Sequence, residues 1–100
     1  MSELAFTSDE RLFDGHLVRF AGTSGDRKVR CAVTLIALKQ LDPSLPHEGL
    51  LPSDLFVSAY DRHMTDIHHI CRQKHARGDY ETEGEIDIVV HRADVQRRSA

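Results

Sequence analysis

Between Pro52 and Gly78 the apolar residues Phe56, Tyr60, Met64, Ile67 and Cys71 recur at steps of four or three. Steps of that size keep side chains on one side of a 3.6-residue helix, so the segment predicts a long amphipathic helix with a single apolar stripe, flanked by Ile70. Pro52 suits the first turn, where its missing N–H costs nothing; Ser53 and Asp54 lie near the positive end and Arg72, Lys74, His75 and Arg77 near the negative end. Gly78 supplies the stop. Such a stripe must be buried against another layer, and the rest of the chain has to provide it.

The remaining periodicity is that of strands. Leu4-Ala5-Phe6-Thr7 is a short β-favouring run followed by a polar, turn-like stretch, Ser8 to Arg11. Asp14-Gly15 stands between apolar residues and tolerates the positive φ of a tight turn. From His16 to Ala21, Val18 and Phe20 alternate with Arg19; after a small, polar loop, Gly22 to Asp26, Val29, Cys31 and Val33 alternate with Lys28, Arg30 and Ala32. Two half-buried strands with a basic outer face are predicted, paired as an antiparallel hairpin. Thr34 then occupies an N-cap position ahead of Leu35, Ala37, Leu38 and Leu41, a short helix that must stop at Asp42-Pro43, because the residue before proline disfavours the α region. A loop containing Pro46 and Gly49 follows. Beyond the long helix an acidic linker, Asp79 to Glu85, leads to Ile86, Ile88 and Val90, a further alternating strand, and from Arg92 onward the chain is polar and expected to fray.

One hundred residues leave room for one core. The expectation is a single α+β domain over residues 1–94 with a frayed polar tail at 95–100. It consists of an antiparallel three- to four-stranded sheet with two helices packed on one face, in the order strands, helix, helix, strand. No apolar run approaches the length of about 18 residues that a membrane span needs, and Met1 to Phe6 has no signal-peptide character. Two cysteines, Cys31 and Cys71, far apart and in apolar settings, fit reduced buried thiols, so a cytoplasmic location is expected. The formal net charge of −3 disfavours nucleic acid and anionic lipid as general partners.

The order of these pieces resembles the small bacterial proteins of the domain of unknown function 1488 family. The residues that carry the resemblance are Leu4-Ala5-Phe6, Leu17-Val18-Arg19-Phe20, and Val29 through Thr34 flowing into Ala37-Leu38 and Leu41. Phe56 at the head of the long helix and the closing Ile86 to Val90 strand complete it, over roughly Leu4 to Asp94. The Cys31-to-Leu38 junction is its most telling part. The resemblance implies a fold and a bacterial source, and no activity.

Three groups of residues invite chemistry. Four of the seven histidines lie on the long helix, and His68, Cys71 and His75 fall within about 60° of one another on a helical wheel, a spacing that can offer three ligands to one metal. The plain reading is that Cys71 continues the apolar stripe and the imidazoles rest at its edge. Cys31 near the start of a helix has the position of a nucleophile, although it points inward with Val29 and Val33. Arg19, Arg27, Lys28 and Arg30 cluster on the outer face of the hairpin, a candidate polyanion contact, but without interleaved aromatics they also describe an ordinary wet sheet face. The acidic run from Asp79 to Asp87 lacks the ligand spacing of a calcium loop. No phosphate-binding glycine loop, nucleophile elbow or paired catalytic carboxylate is found.

These observations point to a small accessory or protein-interaction module without catalytic activity or cofactor. Its expected partner is a second copy of itself, as a homodimer, or another protein. Nucleic-acid binding by the basic hairpin face and metal binding by the His-rich helix are the alternatives.

Overall fold

The computed structural model describes residues 4–6, 11–14, 16–45, 53–81 and 85–98. The expected turn at 8–10, Gly15, the loop positions Pro46 and Gly49, and Pro52 lie outside them. The element order is β1 (Leu4–Ala5), β2 (Arg11–Phe13), β3 (Leu17–Ser24), β4 (Arg27–Thr34), α1 (Leu35–Leu41), α2 (Ser53–Arg62), α3 (Met64–Arg77), β5 (Ile88–Val90) and α4 (Arg92–Arg98).

The β3–β4 hairpin is the centre of the sheet, paired from Leu17↔Thr34 to Ser24↔Arg27. The loop expected at Gly22 to Asp26 shrinks to Gly25-Asp26, because the strand runs on through Ser24. Gly25 takes φ 62°, the positive value that a two-residue turn with glycine first requires. Gly22 stays in the strand for a different reason: a side chain there would meet the carbonyl oxygen of Ala5 at 2.8 Å, so glycine lets β1 lie close against β3. The chain does turn at Asp14, whose Oδ1 accepts from the His16 and Leu17 N–H groups, and this turn pairs β2 with β3 in the register Phe13↔Val18.

The sheet is mixed, which corrects the antiparallel expectation. β1 and β2 pair antiparallel with one edge of β3, while β5 runs parallel to β4, with Cys31↔Ile88 and Val33↔Val90 as partners. The alternation of Ile86, Ile88 and Val90 reports which face is buried and is silent on direction. Direction is set by the crossover: three described helices separate β4 from β5 and bring the chain back beside Arg30 and Cys31, midway along β4, to run the same way.

The helices also differ in number from the two expected. Thr34 caps α1 as anticipated, its Oγ1 accepting from Ala37 N at 3.1 Å. The predicted long helix divides at His63 into α2 and α3, where the backbone leaves helical values at φ −108° and ψ 14°. Buried Asp42, at the end of α1, accepts from Arg62 and faces His63 Nε2 at 3.5 Å, so the division is pinned from outside the helix. Gly78 ends α3 in the left-handed conformation. The stretch from Arg92, expected to fray, forms α4 and buries Val95.

Phe56, Tyr60, Ile67 and Cys71 of the predicted stripe are buried and pack with Val18, Phe20, Val29, Cys31, Val33, Ile88 and Val90, with Met64 partly buried against them. Phe13 stacks on Phe56 with ring centroids 4.9 Å apart. Ala37, Leu38 and Val95 join the same core, so all four helices draw on one face of the sheet. Ala21, Ala32 and Val89, which alternate with those strand residues, are buried outside that cluster, on the opposite face.

Candidate functional site

The histidine edge of α3 does not assemble. His68 stacks flat on Phe6, centroids 3.8 Å apart, and its Nε2 shares a hydrogen bond with the Tyr60 hydroxyl at 2.8 Å. Burial, helped by the Arg72 cation, lowers its pKa to about 4, so it is neutral at physiological pH. His75 uses both ring nitrogens elsewhere: Nε2 lies 3.2 Å from Ser24 Oγ and Nδ1 2.6 Å from the Tyr80 hydroxyl. Cys71 is fully buried against Cys31; its hydrogen bond with Cys31, followed by burial, pushes its thiol well above the usual value. Among the described residues no group of three His, Cys, Asp or Glu side chains is placed to hold a metal. Cys31 is buried as well, its thiol facing the Val29 carbonyl at 3.8 Å, which is the position of a packing residue.

The basic residues of the hairpin are brought together more closely. Register puts Arg19 opposite Ala32, Arg30 opposite Ala21 and Lys28 opposite Thr23, so that Arg19, Lys28 and Arg30 rise from the face opposite the described helices. They line a cleft of about 330 Å³ floored by Ala21 and walled by Leu12, Glu85 and Ile86. Arg27 stands apart from it at the hairpin turn, 4.0 Å from Asp87. A second hollow beyond Arg19, Glu85 and Ile86 runs to Thr34, Val89 and His91, where His91 meets Glu81 at 2.8 Å.

The guanidiniums in this cleft are held by their neighbours. Arg19 Nε donates to Asp14 Oδ2 at 2.9 Å. Asp14 is kept below the ordinary carboxylate range: burial works against its charge, but donations from the His16 and Leu17 N–H groups and from Arg19 outweigh it. Arg30 Nη1 reaches the Glu85 carbonyl at 3.4 Å, and its backbone N–H donates to Asp87 Oδ2 at 3.0 Å.

Leu12 is the part of this surface that sequence reasoning did not single out. It pairs with Arg19 across β2 and β3 and remains 62% exposed, beside cations and an apolar floor. Its signal in the sequence is slight, since it belongs to a three-residue strand recognisable only once the Asp14 turn folds it onto β3. Glu85 and Ile86 arrive from the far end of the chain. The Ser24–His75–Tyr80 chain of hydrogen bonds also went unforeseen, because it joins residues 51 positions apart.

Residues 4–88 match the family model DUF1488, described as a protein of unknown function. The chain belongs to the DUF1488 family. Its fold is also that of a crystal structure of a protein of unknown function from this family in Shewanella loihica PV-4. The TM-score is 0.73 at 16% identity, covering 90% of this chain and 93% of that one. No curated protein matches. At that identity the likeness concerns the fold of DUF1488 and leaves the clefts of this chain to be judged on their own residues. Among the described residues no helix is long and apolar enough to cross a membrane.

Proposed function

We propose that this DUF1488 chain is a small, non-catalytic accessory protein that docks another protein on the outer face of its sheet. One observation carries the reading: Leu12 stands 62% exposed at the rim of a cleft that Arg19, Lys28 and Arg30 also line, on the sheet face opposite the described helices. An apolar side chain ringed by arginines and small residues has the composition of an interface centre, where Arg is enriched and a flat apolar contact excludes water. The buried thiols support the absence of catalysis, since a Cys71 held above its usual pKa is a poor nucleophile. With two cysteines in all, both buried, the chain suits a reducing compartment such as the cytoplasm.

Nucleic acid fits this surface less well. Asp14 faces Arg19, Asp87 faces Arg27 beside the turn, and the chain carries a net −3, so a long continuous run of phosphates would meet carboxylates at two of the four cations and an unfavourable overall field.

The test is crosslinking capture from the native host with the wild-type chain and with Leu12→Glu, both checked for fold by circular dichroism. Recovery of a defined partner by the wild type and its loss from the variant is expected. Recovery of nothing, or capture indifferent to Leu12, overturns the reading.

A further inference from the structure

The outer-face cleft has a pattern that selects among partners. Arg19 on β3 and Arg30 on β4 are diagonal neighbours, because Arg19 pairs with Ala32 and Arg30 with Ala21. Such diagonal positions in an antiparallel pair stand about 7–8 Å apart. Side chains on one side of an extended peptide, at i and i+2, are separated by roughly 6.6–6.8 Å. The two spacings match. Arg19 in turn lies directly across from Leu12, with Ala21 as floor and Ile86 as wall.

Both guanidiniums are pre-positioned. The Asp14 bond engages Arg19 through Nε, and the Glu85 carbonyl engages Arg30 through Nη1. A guanidinium carries five N–H donors in a rigid fork, so each keeps donors able to meet a carboxylate in two-point fashion. Ordering these long side chains before binding removes part of the entropy that association otherwise costs.

Resting on the docking reading above, we infer that the segment received by this cleft is an extended acidic peptide of a partner protein. It carries carboxylates at two alternate positions, for Arg30 and Arg19, and an aliphatic residue two positions further on, for Leu12. A cleft of about 330 Å³ is small, near the lower limit for ligand pockets, and suits one aliphatic side chain flanked by charges. The apolar floor and the Asp14 carboxylate beside Arg19 favour a segment with two separated charges over a continuous polyphosphate.

The experiment titrates the full chain, labelled with 15N, with blocked Gly-Glu-Ser-Glu-Ser-Leu-Gly. The controls are the same peptide with both Glu replaced by Gln, the same peptide with Leu replaced by Ser, and a random DNA duplex. Saturable amide shifts at Leu12, Arg19, Ala21 and Arg30 with the acidic peptide are expected. Binding should weaken about tenfold for Arg30→Gln or Arg19→Gln, each of which loses one charge-assisted contact, about a hundredfold for the peptide with both Glu replaced, and about tenfold for the Leu-to-Ser peptide through lost apolar burial. Two variants are used so that one misfolded chain does not decide the matter, each being compared with wild type by circular dichroism. Equal binding of the Gln peptide, no saturable shift, or a preference for the duplex overturns the inference. If the peptide fails while capture of a host partner still depends on Leu12, the docking surface stands and only its acidic partner class falls; if both fail, both readings fall.

Discussion

Lys74 of α3 and Asp94 of α4 bury an ion pair between them: Nζ lies 2.8 Å from Oδ2, with side chains only 5% and 7% exposed. Lys74 Nζ also donates to the Val89 carbonyl at 2.8 Å, and Asp94 Oδ2 accepts from His91 N at 2.9 Å, so one ammonium ties α3, β5 and α4 together. Removing one member of such a pair leaves an uncompensated buried charge. Lys74→Ala is therefore expected to destabilise the chain by about 3–5 kcal/mol, and the double change Lys74→Met with Asp94→Asn by clearly less. Urea unfolding of the three chains measures both. Burial works against the Asp94 charge, but the Lys74 and His91 bonds prevail and keep its pKa lowered. Its contribution is thus present at neutral pH and disappears as pH falls through that lowered value.

His68 gives the mildly acidic range, above that of Asp94, its own signature. Its pKa is about 4 in the folded chain against an ordinary value of 6.5, owing first to burial and then to Arg72. The unfolded chain binds the extra proton between those values, so stability should decline as pH drops from 6.5 to 4 and level off below that. His68→Gln keeps a polar partner for Tyr60 without titrating. It should flatten this part of the melting-temperature profile, removing on the order of 1–3 kcal/mol of pH dependence. An NMR titration that finds His68 protonating near 6.5 would show the group to be far wetter than its packing on Phe6 implies.

Gly22→Ala tests the close approach of β1. Its new Cβ would meet the Ala5 oxygen at 2.8 Å and the side chains of Leu4 and Phe6 at 3.1 Å. The carbonyl belongs to a paired strand and has little room to yield, so β1 should be displaced at a cost of about 1–3 kcal/mol. Thermal unfolding gives the size of the loss. Amide exchange at Ser24, across from Leu4, reports its location.

Thr34→Ala removes the acceptor for Ala37 N at the start of α1 and should cost about 1 kcal/mol, whereas Thr34→Ser should cost little. Chemical denaturation of the pair separates the cap from the packing of the threonine methyl.

Much of this architecture is legible in the chain because short-range periodicity encodes it. The β3 and β4 alternation, the Thr34 cap and the stripe from Phe56 to Cys71 each depend on neighbours within four residues, and each stands in the structure. What escaped depends on distant partners. The division at His63 is set by Asp42, twenty-one residues earlier, and α4 has Val95 as its one described buried apolar residue, held with help from Lys74 of α3. The direction of β5 follows from a crossover, which alternation does not record. At the candidate site Arg19, Lys28 and Arg30 could be placed on one face from sequence, but Leu12, Glu85 and Ile86 reach that face only through tertiary folding.

The parallel seam between β4 and β5 has a consequence for a chain still being made. β4 finds β3 at once, across a two-residue turn, yet its other edge waits for a strand 57 positions later, as the Arg30 bond to Asp87 measures. Throughout that interval a row of unpaired peptide groups beside Val29, Cys31 and Val33 is open to any extended chain nearby. The emergence of Ile88–Val90 therefore marks the point in synthesis at which the nascent domain stops being sticky.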